Sequence, residues 1–104
     1  MGIVSPDLSA DEKLIPLRLD QFLHKTGIVK SRSLAKELCD RGVVSINGNR
    51  AKAAHVVSPN DNIDVKFTDR LNSYNVIVLP HGNVRKEDRG KYARLVAERL
   101  FHEK

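Results

Sequence analysis

A chain of 104 residues, 40% of them hydrophobic, is long enough for one domain with a modest core and too short for a typical catalytic domain with a second module attached. The single cysteine, Cys39, excludes an internal disulfide, and no run of about 18 apolar residues suggests a membrane span. The net charge of +5 is concentrated: Arg18 to Lys52 holds eight basic residues against three acidic ones, and the signs balance elsewhere. Confinement of the whole excess to one block favours a localised polyanion-binding surface.

Residues 1–16 mix small, polar and charged types without a sustained period, so a flexible N-terminal arm is expected; Pro6, Asp7, Asp11, Glu12 and Lys13 interrupt it too often for a signal peptide. After Pro16, Leu19, Phe22, Leu23 and Thr26 follow the i, i+3, i+4, i+7 spacing of an amphipathic helix that Gly27 ends, with Arg18, Gln21 and Lys25 on the opposite stripe. Asp20 falls in its first turn, where a carboxylate complements the helix dipole. The short link from Ile28 to Lys30 requires the next helix to pack on the first.

That second helix is predicted from Arg32 to Arg41, with Ser31 as its N-cap and Gly42 taking the left-handed conformation after it. Leu34, Ala35, Leu38 and Cys39 share its apolar face, while Arg32 and Lys36 sit one turn apart on another. Arg32 opens this helix, where unbonded amides and the positive dipole end favour phosphate, and Arg18 occupies the start of the first helix. The period then changes from helical to alternating. Val44 and Ile46 alternate with Val43 and Ser45, and Asn47-Gly48 is a strong hairpin signal, so Asn49, Arg50 and Lys52 project from a tight turn and its return strand. A turn at Ser58 to Asp61, a strand from Ile63 to Phe67 and another from Tyr74 to Leu79 follow. Pro80 to Asn83 breaks the chain, and Tyr92, Leu95, Val96 and Leu100 mark a final helix from about Lys86. The expected organisation is an arm (1–16), a domain (17–79) and a linker with a C-terminal helix (80–104).

Three stretches carry a family resemblance. Arg18-Leu19-Asp20-x-Phe22-Leu23 resembles the opening signature of the S-four RNA-binding domain, Ser31-Arg32-Ser33-Leu34-Ala35 its second helix, and Gly42-Val43-Val44-x-Ile46-Asn47-Gly48 its hairpin. The match runs from about Leu17 to Phe67; Asn60-Asp61 stands where the family often has Gly-Asp, and Asn tolerates the left-handed turn. The runs Lys30 to Glu37 and Asn47 to Lys52 are most similar to stand-alone members, the group of the fifteen-kilodalton heat-shock protein and a bacterial ribosome-quality-control factor. The resemblance implies an α+β fold of the alpha-L type, two packed helices and a short, mostly antiparallel sheet. It implies a non-catalytic, cytoplasmic protein that binds ribosomal RNA and tRNA on a large ribosomal subunit carrying peptidyl-tRNA, in rescue or quality control. A monomer is expected. By resemblance Arg18, Lys30, Arg32 and Lys36 contact RNA, and Lys25, Ser31, Arg41, Asn49, Arg50 and Lys52 join them as candidates on the basic block.

With only two tyrosines and three phenylalanines, and Phe22 and Phe67 reading as core, RNA is expected to be recognised by shape and phosphate rather than by base stacking. His24, His55, His81 and His102 lack metal-ligand spacing, and no phosphate loop or nucleophile motif occurs, so neither a metal, a cofactor nor a catalyst is expected. Two other classes compete with the RNA-binding factor. One is a detached accessory domain of an RNA-modifying enzyme, for which the roughly 37 residues after Phe67 leave no room for the catalytic part. The other is a regulator that binds protein through the apolar side of the C-terminal helix.

Overall fold

The computed structural model of the protein describes residues 17–80, 82 and 84–101; the expected N-terminal arm lies outside them. Two α-helices, α1 (Leu19–Lys25) and α2 (Arg32–Asp40), precede strands β1 (Val44–Ile46), β2 (Asn49–Arg50), β3 (Asn62–Lys66) and β4 (Arg70–Val76). A 3-10 helix (Lys86–Lys91) then leads into β5 (Ala93–Leu100). The strands form one antiparallel sheet in the order β2-β1-β3-β4-β5, which makes the fold α+β as expected.

The apolar stripe of α1 does what its spacing requires: Leu19, Phe22 and Leu23 are buried, and Thr26 closes the helix by donating its hydroxyl to the Phe22 carbonyl at 2.7 Å. On α2, the Ser31 Oγ accepts from the Leu34 amide at 3.1 Å, the expected N-cap, and Gly42 takes a φ of +80° beyond the last turn. Ala35, Leu38 and Cys39 face the core together with Val44, Ile46, Ile63, Val65 and Val76 of the sheet. Leu34 does not join them. It is 37% exposed, because its position at the open end of the apolar arc turns it past the line where α1 and the sheet meet α2.

The Asn47-Gly48 turn joins β1 to β2 as predicted, and the Asn47 side chain accepts from the Asn62 amide at 2.9 Å, tying the hairpin tip to the start of β3. The start of α1 is bound to the segment between β2 and β3. Leu19 donates its amide to the His55 carbonyl at 2.8 Å and Asp20 to that of Ala53 at 3.1 Å, while Val57 donates back to Leu17 at 3.0 Å. The first-turn amides that would otherwise lack partners are thereby satisfied inside the protein.

Two expectations fail in the C-terminal third. The strand expected from Tyr74 to Leu79 begins earlier, at Arg70, and ends at Val76, because a turn closed by the Phe67 amide and the Arg70 carbonyl at 2.7 Å sends the chain straight back along β3. The helix expected from Lys86 is instead a single 3-10 stretch, and Tyr92, Leu95, Val96 and Leu100 lie in or beside strand β5. The helical spacing was an imitation. Leu95 pairs with Tyr74 and Ala97 with Ser73, so Val96 is an extra residue in a bulge that breaks the two-residue alternation. Pairing with the open edge of β4 outweighs a weak helical preference already interrupted by Gly90. With no helix there, the reading of a regulator that docks through a C-terminal helical face falls.

Leu38→Ala should lower stability by about 2–4 kcal/mol, as a buried large-to-small change does, whereas Leu34→Ala should cost less than about 1 kcal/mol. Chemical denaturation of both variants checks this; equal losses would mean that the buried arc of α2 is misassigned.

Candidate RNA interface

Asp20 is the pivot of the basic block. Its side chain is 2% exposed, and the Arg18 guanidinium grips both carboxylate oxygens at 3.2 Å through Nε and Nη2. Arg32, twelve residues on, donates its Nε to Oδ2 at 3.4 Å, and the Gln21 amide donates to Oδ1 at 2.8 Å. A buried carboxylate requires such partners, since desolvation without them costs several kcal/mol. The two arginine side chains remain 41% and 50% exposed. The buried anion therefore orients two cations whose outer donors still face solvent. Arg18 and Arg32 thus meet at Asp20, and the first amides of α1 are already occupied by the carbonyls of His55 and Ala53, so guanidinium groups mark that helix start.

Arg18 also lines a shallow depression with Lys36, Arg50 and Lys52, floored by Cys39, Ala51 and Ala53. The β1–β2 hairpin delivers Arg50, whose guanidinium lies so close over Gly42 that a Cβ there would collide with it. Among the described residues Asp40 is the one carboxylate in the lining, against four cations. A second groove takes Lys25 and Arg32, together with Gln21, His24, Val84 and Arg89. The remaining candidates stand outside both. Lys30 is exposed in the link between the helices, Asn49 is exposed at the start of β2, and Ser31 spends its hydroxyl on the α2 cap. Arg41 is ion-paired with Glu37 one turn earlier on α2.

A family model for the S4 domain matches residues 17–63. A Bacillus subtilis protein named RQC P-site tRNA stabilizing factor is 40% identical over 84 residues, covering 81% of this chain and 98% of that protein. The chain belongs to the S4 domain family. A Helicobacter pylori protein of the same name is 35% identical over 77 residues, covering 73% of this chain and 92% of its own length. The fold is also that of Vibrio cholerae Heat Shock Protein 15, solved as a trimer, with a TM-score of 0.72 and 25% identity over 79% of this chain and 83% of that one.

All the basic candidates from Arg18 to Lys52 fall within the S4 match, whereas β4, the 3-10 helix and β5 lie beyond it. Sequence reasoning missed two residues. Asp20 looked like a helix-dipole partner; the one available signal was an acidic side chain two residues from an arginine on a helix start. Arg89 gave no signal, because its place beside α1 depends on a long-range return of the chain.

Cys39 beneath the depression is not a nucleophile. Burial, and then the negative charges of Asp20 and Asp40, push its thiol from the ordinary 9.0 up to about 11. At pH 8 a maleimide should label Cys39 only after unfolding, as the reactive thiolate is nearly absent from the native state. Mass spectrometry of labelled native protein checks this; labelling at the rate of an unfolded control would contradict the burial.

Proposed function

We propose that this chain is a non-catalytic RNA-binding protein that engages ribosomal RNA and tRNA on the large ribosomal subunit, acting in cytoplasmic quality control of subunits stalled with a peptidyl-tRNA. The observation that carries the reading is the pair of guanidiniums held by buried Asp20 beside Lys36, Arg50 and Lys52. Arginine presents a planar fork that matches phosphate oxygens, and a fork already oriented by a buried carboxylate loses less freedom on binding. The names of the relatives, which speak of stabilising a P-site tRNA, supply the ribosomal setting.

The mode of binding follows from what surrounds the cations. Phe22 is wholly buried, and Phe67 lies 4.7 Å beneath the Arg70 guanidinium. Neither presents a face for an unstacked base, and the more exposed Phe101 has the Lys66 ammonium 5.9 Å over its ring. Recognition is therefore by phosphate contact and by the shape of folded RNA, with the candidate contacts being Arg18, Arg32, Lys36, Arg50 and Lys52, and with Lys30, Arg41 and Asn49 at the margin.

If about five to seven phosphates are engaged, log K against log salt should fall with a slope of roughly −3 to −6. A slope near zero would reject the electrostatic basis. Arg18→Ala combined with Arg32→Ala should abolish co-sedimentation with large subunits; because it also strips buried Asp20 of both ion partners, the variant should melt at a lower temperature, and binding is compared below that melt, where the circular dichroism matches the parent's. Equal sedimentation with empty and with peptidyl-tRNA-loaded subunits would reject the role at stalled complexes and leave RNA binding standing.

Asp20→Asn separates oriented charge from mere charge. It raises the net charge, so unspecific attraction alone would strengthen binding. Loss of the clamp should instead weaken it, by roughly tenfold or more, about the value of one charge-assisted hydrogen bond. Anisotropy titrations at fixed salt decide between the two.

A further inference from the structure

The groove on the Arg32 side of the clamp contains a residue from outside the matched S4 segment. Arg89, on the 3-10 helix, lies directly over Gly27, where a Cβ would meet its Cδ and Cζ at 2.6 Å. Only a residue without a side chain leaves room for that guanidinium against the end of α1. The segment is tied down nearby by Lys25, whose Nζ donates to the Gly82 carbonyl at 2.7 Å. The Arg89 Nε is shut away from solvent and has no hydrogen-bond partner among the described residues. Beside it stand Arg32, Lys25, His24 and Gln21, and among the described residues no carboxylate contributes to the lining.

We infer that this groove is a second site for RNA backbone phosphate, so that the protein holds RNA on both flanks of the Arg18–Asp20–Arg32 clamp. The inference rests on the RNA-binding reading above. A guanidinium with a buried, unpartnered nitrogen is unfavourable in the unliganded protein. An anion in the groove offsets that by accepting from its outer donors and by neutralising cations of which, among the described residues, only Arg32 is ion-paired, to Asp20. Phosphate suits the site better than a protein partner does. Among the described residues Val84 is the sole aliphatic side chain in the lining, so a docked peptide would find little apolar surface to bury, whereas a nucleic-acid backbone needs only charge and donors.

Fluorescence anisotropy with a synthetic RNA hairpin, across a series of salt concentrations, tests the site in the full chain. Arg89→Gln should weaken binding roughly tenfold and make the salt slope shallower by about 1, with an unchanged thermal melt. Lys91→Gln serves as the control, since it removes the same charge from the same 3-10 helix at a side chain that is 72% exposed and paired with Asp88. It should change affinity by less than about twofold. If Arg89→Gln and Lys91→Gln bind alike while the parent shows a steep salt slope, the groove is not a phosphate site and RNA binding itself stands. If the parent does not bind the hairpin with salt dependence, both readings fall. Competition by polyglutamate as effective as that by unlabelled hairpin, at equal charge, would overturn the choice of RNA in favour of an acidic protein.

Discussion

A carboxylate buried between two half-exposed arginines is the constraint from which the basic surface takes its form. Asp20 accepts from Arg18 on its own helix start and from Arg32 on the next helix, so one anion joins α1 to α2. An exposed pair of this kind contributes little to stability. Here the anion is almost completely withdrawn from water, and removing one arginine would leave it undercompensated. The arrangement resists loosening for that reason, although the arginines themselves stay accessible.

The remaining structure keeps this clamp in place. Backbone bonds from Leu19 and Asp20 to the carbonyls of His55 and Ala53 set the start of α1 against the segment that follows β2. That segment carries Lys52, and β2 carries Arg50, so the bonds that satisfy the helix start also bring the hairpin cations to Arg18. The sheet behind them is scaffold, since Val44, Ile46, Ile63 and Val65 point into the core and none of them lines either basic concavity. Burial of Cys39 under the depression gives its floor an inert thiol rather than a reactive one.

The C-terminal third extends the architecture in a way that local patterns concealed. Strand β5 adds itself to the edge of β4, and its bulge at Val96 lets the register shift without breaking the pairing. Leu95, Val96 and Leu100 consequently remain about half exposed on an edge strand, where a helix would have gathered them on one side. The 3-10 stretch before β5 returns the chain toward α1 and carries Arg89 to Gly27.

Much of this was legible from residue order alone, wherever a local physical rule sufficed. The period of Leu19, Phe22 and Leu23, the Ser31 cap and the Asn47-Gly48 turn each depend on neighbours within a few positions, and each appears in the structure as the pattern requires. The confinement of net charge to Arg18–Lys52 is likewise a property of the chain itself. Which of those charges meet was decided by tertiary structure. Arg18, Lys36, Arg50 and Lys52 gather because the start of α1, α2, β2 and the segment after β2 pack together, while Arg41 turns to Glu37 and Lys30 stays apart. The partners of Asp20, the exposure of Leu34, the strand in place of the last helix and the position of Arg89 are long-range outcomes. They depend on an open sheet edge, a burial site for a carboxylate and the approach of Arg89 to Gly27, and none of these exists until residues distant in the chain are brought together.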